Sequence, residues 1–92
     1  MATVQGAVKL DDVAVYPNPS NGNFTVRFAG DAEGAVSIKV SDALGREVRS
    51  FRMAKQAGAF EETLDLNSLD NGVYMLQIND GKNKTVKRIV KQ

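Results

Sequence analysis

The sequence predicts an all-β domain, an immunoglobulin-like antiparallel β-sandwich of about seven strands. Apolar residues recur at every second position, as in Phe24, Val26 and Phe28 and again in Val36, Ile38 and Val40, which gathers them on one face of an extended backbone. Turn formers punctuate these runs at the spacing of short antiparallel strands. No stretch carries the period of a long helix, and a single turn around Asn67 to Asp70 is the only helical candidate.

Residues 1–12 show no firm pattern and read as a linker or lead-in, with the folded domain over 13–92. Strands are expected near 13–16, 23–29, 35–41, 46–53, 59–65, 73–79 and 83–90. Pro17 and Pro19 cannot donate ladder hydrogen bonds, so the first strand ends by Tyr16. Ala29 to Gly34 is a longer loop. Asp42-Ala43-Leu44-Gly45 has the make-up of a type I turn closed by a left-handed glycine, which joins two strands in a hairpin. Beyond it, Val48 and Phe51 are three apart, an offset that predicts a bulge or a strand that changes face. After a loop at Gln56 to Gly58, Phe60 and Leu64 share a face with Glu62, the pattern of a strand near a sheet edge. Tyr74, Leu76 and Ile78 form one apolar face, and Val73 and Met75 make the opposite face apolar too. That strand is expected to be the best buried, covered on both sides or near a sheet centre. Asn79 to Asn83 holds an Asp-Gly step suited to a hairpin.

A chain of 92 residues has room for one domain, and size scaling gives burial of roughly 60 to 65% of the unfolded surface. Cysteine is absent, which excludes disulfides and thiolate metal sites. Net charge is +1 with mixed signs, a balance that predicts no strong field toward nucleic acid or a membrane face. Met1 to Leu10 has neither a basic start nor an apolar stretch of signal-peptide type. The expectation is therefore residence inside the cell or excision from a longer precursor.

Histidine and tryptophan are missing as well, which removes Ser-His-Asp and Cys-His systems and the aromatic platform favoured by sugar-binding modules. Glu61 and Glu62 are adjacent, but neighbours in a strand point to opposite faces and cannot flank one substrate. Asp65 to Asp70 begins like a calcium loop yet has Leu69 where an oxygen ligand belongs. No catalytic residue, metal ligand or cofactor site is assigned. Tyr74 stands where such sandwiches carry a tyrosine corner, and its hydroxyl is expected to bond to backbone near Leu69 to Asn71. The last eleven residues hold Lys82, Lys84, Lys87, Arg88 and Lys91 without an acid. This is either an edge strand whose cations discourage aggregation or a recognition strand offering its backbone edge and cations to a partner.

Four pieces follow one another along the chain: Tyr16-Pro17-Asn18-Pro19 with Asn21-Gly22 and Phe24-Thr25-Val26; Asp42-Ala43-Leu44-Gly45-Arg46-Glu47-Val48; Leu69 with Gly72-Val73-Tyr74-Met75-Leu76-Gln77-Ile78; and Lys87-Arg88-Ile89-Val90-Lys91. Together they resemble the C-terminal sorting domain of the Por (type IX) secretion system, type A, over about residues 13 to 91. The resemblance implies a non-enzymatic signal at the end of a passenger protein. Its implied partners are an outer-membrane translocon, a sortase-like peptidase and the passenger on its N-terminal side, with no nucleic acid and no direct membrane insertion. Implied localisation is export through the periplasm to the outer membrane, after which the domain is cleaved ahead of the first strand and the passenger is secreted or attached at the surface.

Carried over by position, the family's motif residues are Tyr16, Pro17, Asn18, Pro19, Gly22, Gly45, Gly72 and Tyr74, read as scaffold. The expected partner contact is the terminal strand, through Lys84, Val86, Lys87, Arg88, Ile89, Val90 and Lys91. An adhesive or carbohydrate-binding immunoglobulin-like module of a surface protein is the alternative function.

Overall fold

The computed structural model describes residues 13–30, 34–55, 58–81 and 84–92; the expected lead-in over 1–12 and parts of three loops lie outside the described residues. Seven strands follow one another: β1 (Ala14–Tyr16), β2 (Asn23–Gly30), β3 (Gly34–Ser41), β4 (Glu47–Lys55), β5 (Gly58–Asp65), β6 (Gly72–Asn79) and β7 (Lys84–Lys91). They form a three-stranded sheet ordered β1-β2-β5 and a four-stranded sheet ordered β4-β3-β6-β7. All named strand pairs are antiparallel. The expected sandwich is the fold observed.

Period-two alternation decides which side chains meet between the sheets. Phe24, Val26 and Phe28 of β2 and Phe60 and Leu64 of β5 face Val36, Ile38 and Val40 of β3 and Tyr74, Leu76 and Ile78 of β6, with Leu66 and Ile89 also buried. The Phe28 and Phe60 rings lie 4.8 Å apart in a tilted pair that closes one end of the core. Each such side chain contributes about 1.5–3 kcal/mol by leaving water.

β5 is the edge strand the sequence predicts. Its Glu62 lies opposite the buried Val26 yet is exposed, because an edge position lets the carboxylate reach water. β6 lies inside its sheet, between β3 and β7, but only one of its faces is covered. Met75 is 37% exposed, since a two-layer sandwich leaves the outer face of each sheet to solvent. The offset in β4 is a bulge: Val40 pairs with Arg49 and Ser41 with Glu47, leaving Val48 without an opposite residue. The helical candidate resolves into a turn closed by the Leu69 N–H donating to the Leu66 carbonyl at 3.1 Å, and no helix occurs among the described residues.

Candidate functional site

The terminal strand has two unlike halves. β7 is paired with β6 on one side only, so its other edge is open in principle. From Arg88 onward that edge is closed by the chain's own residues Asn18 and Ser20. Asn18 donates from Nδ2 to the Arg88 carbonyl at 3.0 Å and accepts the Val90 N–H on Oδ1 at 2.9 Å. Ser20 continues the ladder in parallel register opposite Lys91, donating its N–H to the Val90 carbonyl at 3.1 Å and accepting from the Gln92 N–H at 2.8 Å. Pro17 and Pro19 present no N–H of their own, which leaves the Asn18 amide to make these bonds. Along Lys84 to Val86 no such partner covers the edge among the described residues.

Ser20 also ties this edge to the other sheet. Its hydroxyl donates to the Asn23 carbonyl at 2.7 Å and accepts the Gly22 N–H at 3.2 Å. Gly22 is buried at a φ of 150°, and a Cβ there would stand 2.6 Å from Asn67 Cγ and 3.0 Å from its Cα. Glycine is required by this close approach. The Asn67 amide in turn donates to Asn23 Oδ1 at 3.1 Å and Asp65 Oδ1 at 2.7 Å, and the Asn67 N–H donates to the same Asp65 oxygen at 3.0 Å. These bonds, the backbone N–H first, hold the Asp65 carboxyl below its ordinary value. The residues that began like a calcium loop thus form a corner turn, and no group of three metal-ligating side chains occurs among the described residues.

Tyr74 makes the expected corner, its hydroxyl donating to the Asp70 carbonyl at 2.6 Å. The β3–β4 turn is also as expected. Gly45 adopts a φ of 86° and donates to the Asp42 carbonyl at 2.9 Å. Asp42 Oδ1 accepts the Leu44 and Arg46 N–H groups at 2.9 and 3.0 Å, and Oδ2 accepts Arg46 Nε at 2.8 Å. Led by the Arg46 N–H, these donors lower the Asp42 pKa. The turn holds Leu44 out at 79% exposure.

The structure divides the residues expected to meet a partner. Lys84, Val86 and Arg88 are exposed, Lys87 and Val90 are half-buried, and Ile89 and Lys91 are buried. Ile89 is a core residue, and Lys91 directs its ammonium to Asn71 Oδ1 at 3.3 Å. Of the motif residues, Tyr16, Pro17, Asn18 and Pro19 lie exposed along the approach to β2, with the Tyr16 hydroxyl 3.4 Å from Glu61 Oε2, and Gly72 opens β6 opposite Lys91. In the sequence the first and last motifs stand about 70 residues apart. They are in contact through Asn18 and Ser20, and the short polar side chains flanking Pro19 were the available signal.

A shallow depression of ≈ 370 Å³ is lined by Asp42, Arg46, Arg49, Ser68, Asp70 and Tyr74, among others, but its polar groups already serve one another. Arg49 donates to the Val48 carbonyl and to the Ser68 hydroxyl at 2.7 and 2.6 Å, and Asp42 is engaged by Arg46.

The described residues form an all-β, two-sheet antiparallel sandwich. Residues 14–92 match the Por_Secre_tail family, described as a secretion system C-terminal sorting domain, and the chain belongs to that family. It is a sorting-signal domain, of a family that is not one of enzymes, tied to type IX secretion machinery and export to the outer membrane or cell surface. Among curated proteins, nothing matches the chain.

Proposed function

We propose that this domain directs a passenger on its N-terminal side through the type IX outer-membrane translocon, and that a sortase-like peptidase then removes it in the segment ahead of β1. The passenger is released or attached at the cell surface. The observation that carries this reading is the family match over residues 14–92, which spans every strand from β1 to β7. Residues 13–92 act as the signal and 1–12 as its linker, with cleavage within or before that linker.

Partner contact is assigned to the exposed part of β7, with Lys84, Val86 and Arg88 leading and Lys87 and Val90 at their flanks. The backbone edge at Lys84 to Val86, which no described residue covers, suits strand addition, in which main-chain hydrogen bonds supply affinity and alternate side chains supply selectivity. Ile89 and Lys91 support this strand from within.

The test fuses residues 1–92 behind an exported reporter in a host that has this secretion system. Surface delivery of the reporter and loss of the domain from it are expected, and failure of delivery sinks the sorting reading. A fusion ending at Lys82 is expected to fail, but it also loses core residue Ile89. Val86→Glu with Lys84→Glu therefore accompanies it, with folding checked by thermal unfolding. Full delivery by this folded variant overturns the role of β7.

A further inference from the structure

The fold sorts charge that the sequence mixes. On β3, Val36, Ile38 and Val40 face the core, so Ser37, Lys39 and Ser41 face outward. Pairing sets Arg52 opposite Ser37, Gln77 opposite Lys39, and on β7 Lys84 opposite Asn79, Val86 opposite Gln77 and Arg88 opposite Met75. Lys39, Arg52, Lys84 and Arg88 are thus all exposed on one flat face. Among the described residues of these strands, the acid that shares it, Glu47, sits at its corner opposite Ser41. None of these four cations has an ion-pair partner among the described residues, where the salt bridge is Arg46 to Asp42. The outer face of the other sheet carries Glu61 and Asp65 with Arg27. A chain of net charge +1 is therefore electrically two-sided.

A second observation lies in the middle of this cationic face. Ser37, Lys39, Gln77, Asn79 and Lys84 line a depression of ≈ 160 Å³. Its lining residues are two lysines, two side-chain amides and a serine, with no carboxylate among them, a set of donor types that suits an oxyanion. Val86 at 52% exposure and Met75 lie beside it. Aliphatic groups set among cations fit a protein interface. A bilayer surface would favour aromatic anchors, and a nucleic acid would favour aromatic stacking partners. The exposed large apolar side chains of this face, Met75 and Val86, are not aromatic.

We propose that the outer face of the four-stranded sheet docks an acidic segment of a partner protein, and that the depression between Lys39 and Lys84 takes an Asp or Glu carboxylate of that segment. Its biological setting rests on the sorting reading above; its chemistry does not. Because exposed charges act within a Debye length of about 8–10 Å, this face steers and orients an acidic partner at short range and weakens its hold as salt rises.

The experiment titrates the isotope-labelled 92-residue chain with a synthetic peptide of alternating Glu and Val, its Gln-Val counterpart, and phosphatidylglycerol vesicles. The Glu-Val peptide is expected to shift amide signals of Lys39, Gln77, Lys84 and Val86, with affinity falling at least tenfold in Lys39→Glu/Arg52→Glu, a variant off the terminal strand. Equal binding of the Gln-Val peptide, shifts spread over both sheets, or undiminished binding by the variant overturns the proposal. Binding to vesicles without binding to the peptide makes a lipid surface the occupant, and salt-sensitive self-association abolished by the same variant makes it a second copy; either result overturns it. In the reporter fusion, the variant is expected to reduce delivery at least several-fold while the parent fusion delivers. A parent that fails sinks the sorting reading and leaves the peptide titration to decide the face; a variant that delivers as well as the parent overturns the face alone.

Discussion

Asn18 holds Val90 across 72 residues of sequence, its side-chain oxygen accepting the Val90 N–H at 2.9 Å, while the same amide donates to the neighbouring Arg88 carbonyl. One side chain thereby satisfies a donor and an acceptor on the outer edge of the terminal strand. It gives the first motif of the chain a direct part in how the last one is presented. Asn18→Ala removes both bonds, and it is expected to cost about 1–2 kcal/mol in urea unfolding and to speed exchange of the Val90 amide hydrogen. An unchanged midpoint and unchanged exchange would show that water replaces the clamp at no cost.

Tyr74→Phe deletes the hydroxyl that bonds to the Asp70 carbonyl and leaves the ring in place. A loss of about 1 kcal/mol is expected, seen as a fall in Tm of roughly 4–8 °C for a domain of this size. Thermal melts monitored by circular dichroism read it directly.

Gly22→Ala sets a methyl group against Asn67 at a backbone angle that side chains rarely adopt. It is expected to destabilise by roughly 1–3 kcal/mol. Adding Asn67→Ala should recover only part, because the amide contact goes but the Asn67 Cα and the φ of 150° stay. Full additivity in the double-mutant cycle would contradict this contact.

Asp42 and Asp65 both have pKa values held below the ordinary carboxylate range by backbone N–H donors. The unfolded chain, with Asp near 3.9, takes up these protons at higher pH than the folded one. Their stabilisation is therefore present above about pH 4 to 5 and is lost as pH falls through the lowered folded values. Denaturation midpoints followed down to acid pH should decline in that window, and less steeply in Asp42→Asn.

Leu44 is 79% exposed on a turn whose geometry comes from Asp42 and Gly45. Leu44→Ser is expected to change stability by no more than about 0.5 kcal/mol. Gly45→Ala, at a φ of 86°, should cost about 1 kcal/mol or more in the same chemical unfolding assay.

Much of the fold was legible because strand geometry is local. Val36, Ile38 and Val40 announce their shared face by spacing alone, and the turn from Asp42 to Gly45 carries its own hydrogen-bond donors and acceptors within five residues. The tyrosine corner was equally readable, since Tyr74 and Asp70 are four apart. Less legible was the outer face of β6, where Val73 and Met75 fit either a second covering layer or a place near the sheet centre, and the sheet order shows the second. An apolar side chain reports a preference for burial, not whether another layer exists to provide it. The candidate recognition strand was likewise read as uniform, whereas Ile89 and Lys91 point inward and Lys84, Val86 and Arg88 outward.

The sequence by itself determined the seven strands, the inward faces of β2, β3 and β6 and the turn from Asp42 to Gly45, because each follows from a period of two or from residues within one turn of each other. Only the tertiary structure decided that Asn18 and Ser20 seal half of the β7 edge and that Lys39, Arg52, Lys84 and Arg88 gather on one face. A net charge sums over the chain without regard to position. Sheet pairing assigns those positions, and it is a property of strands far apart in sequence.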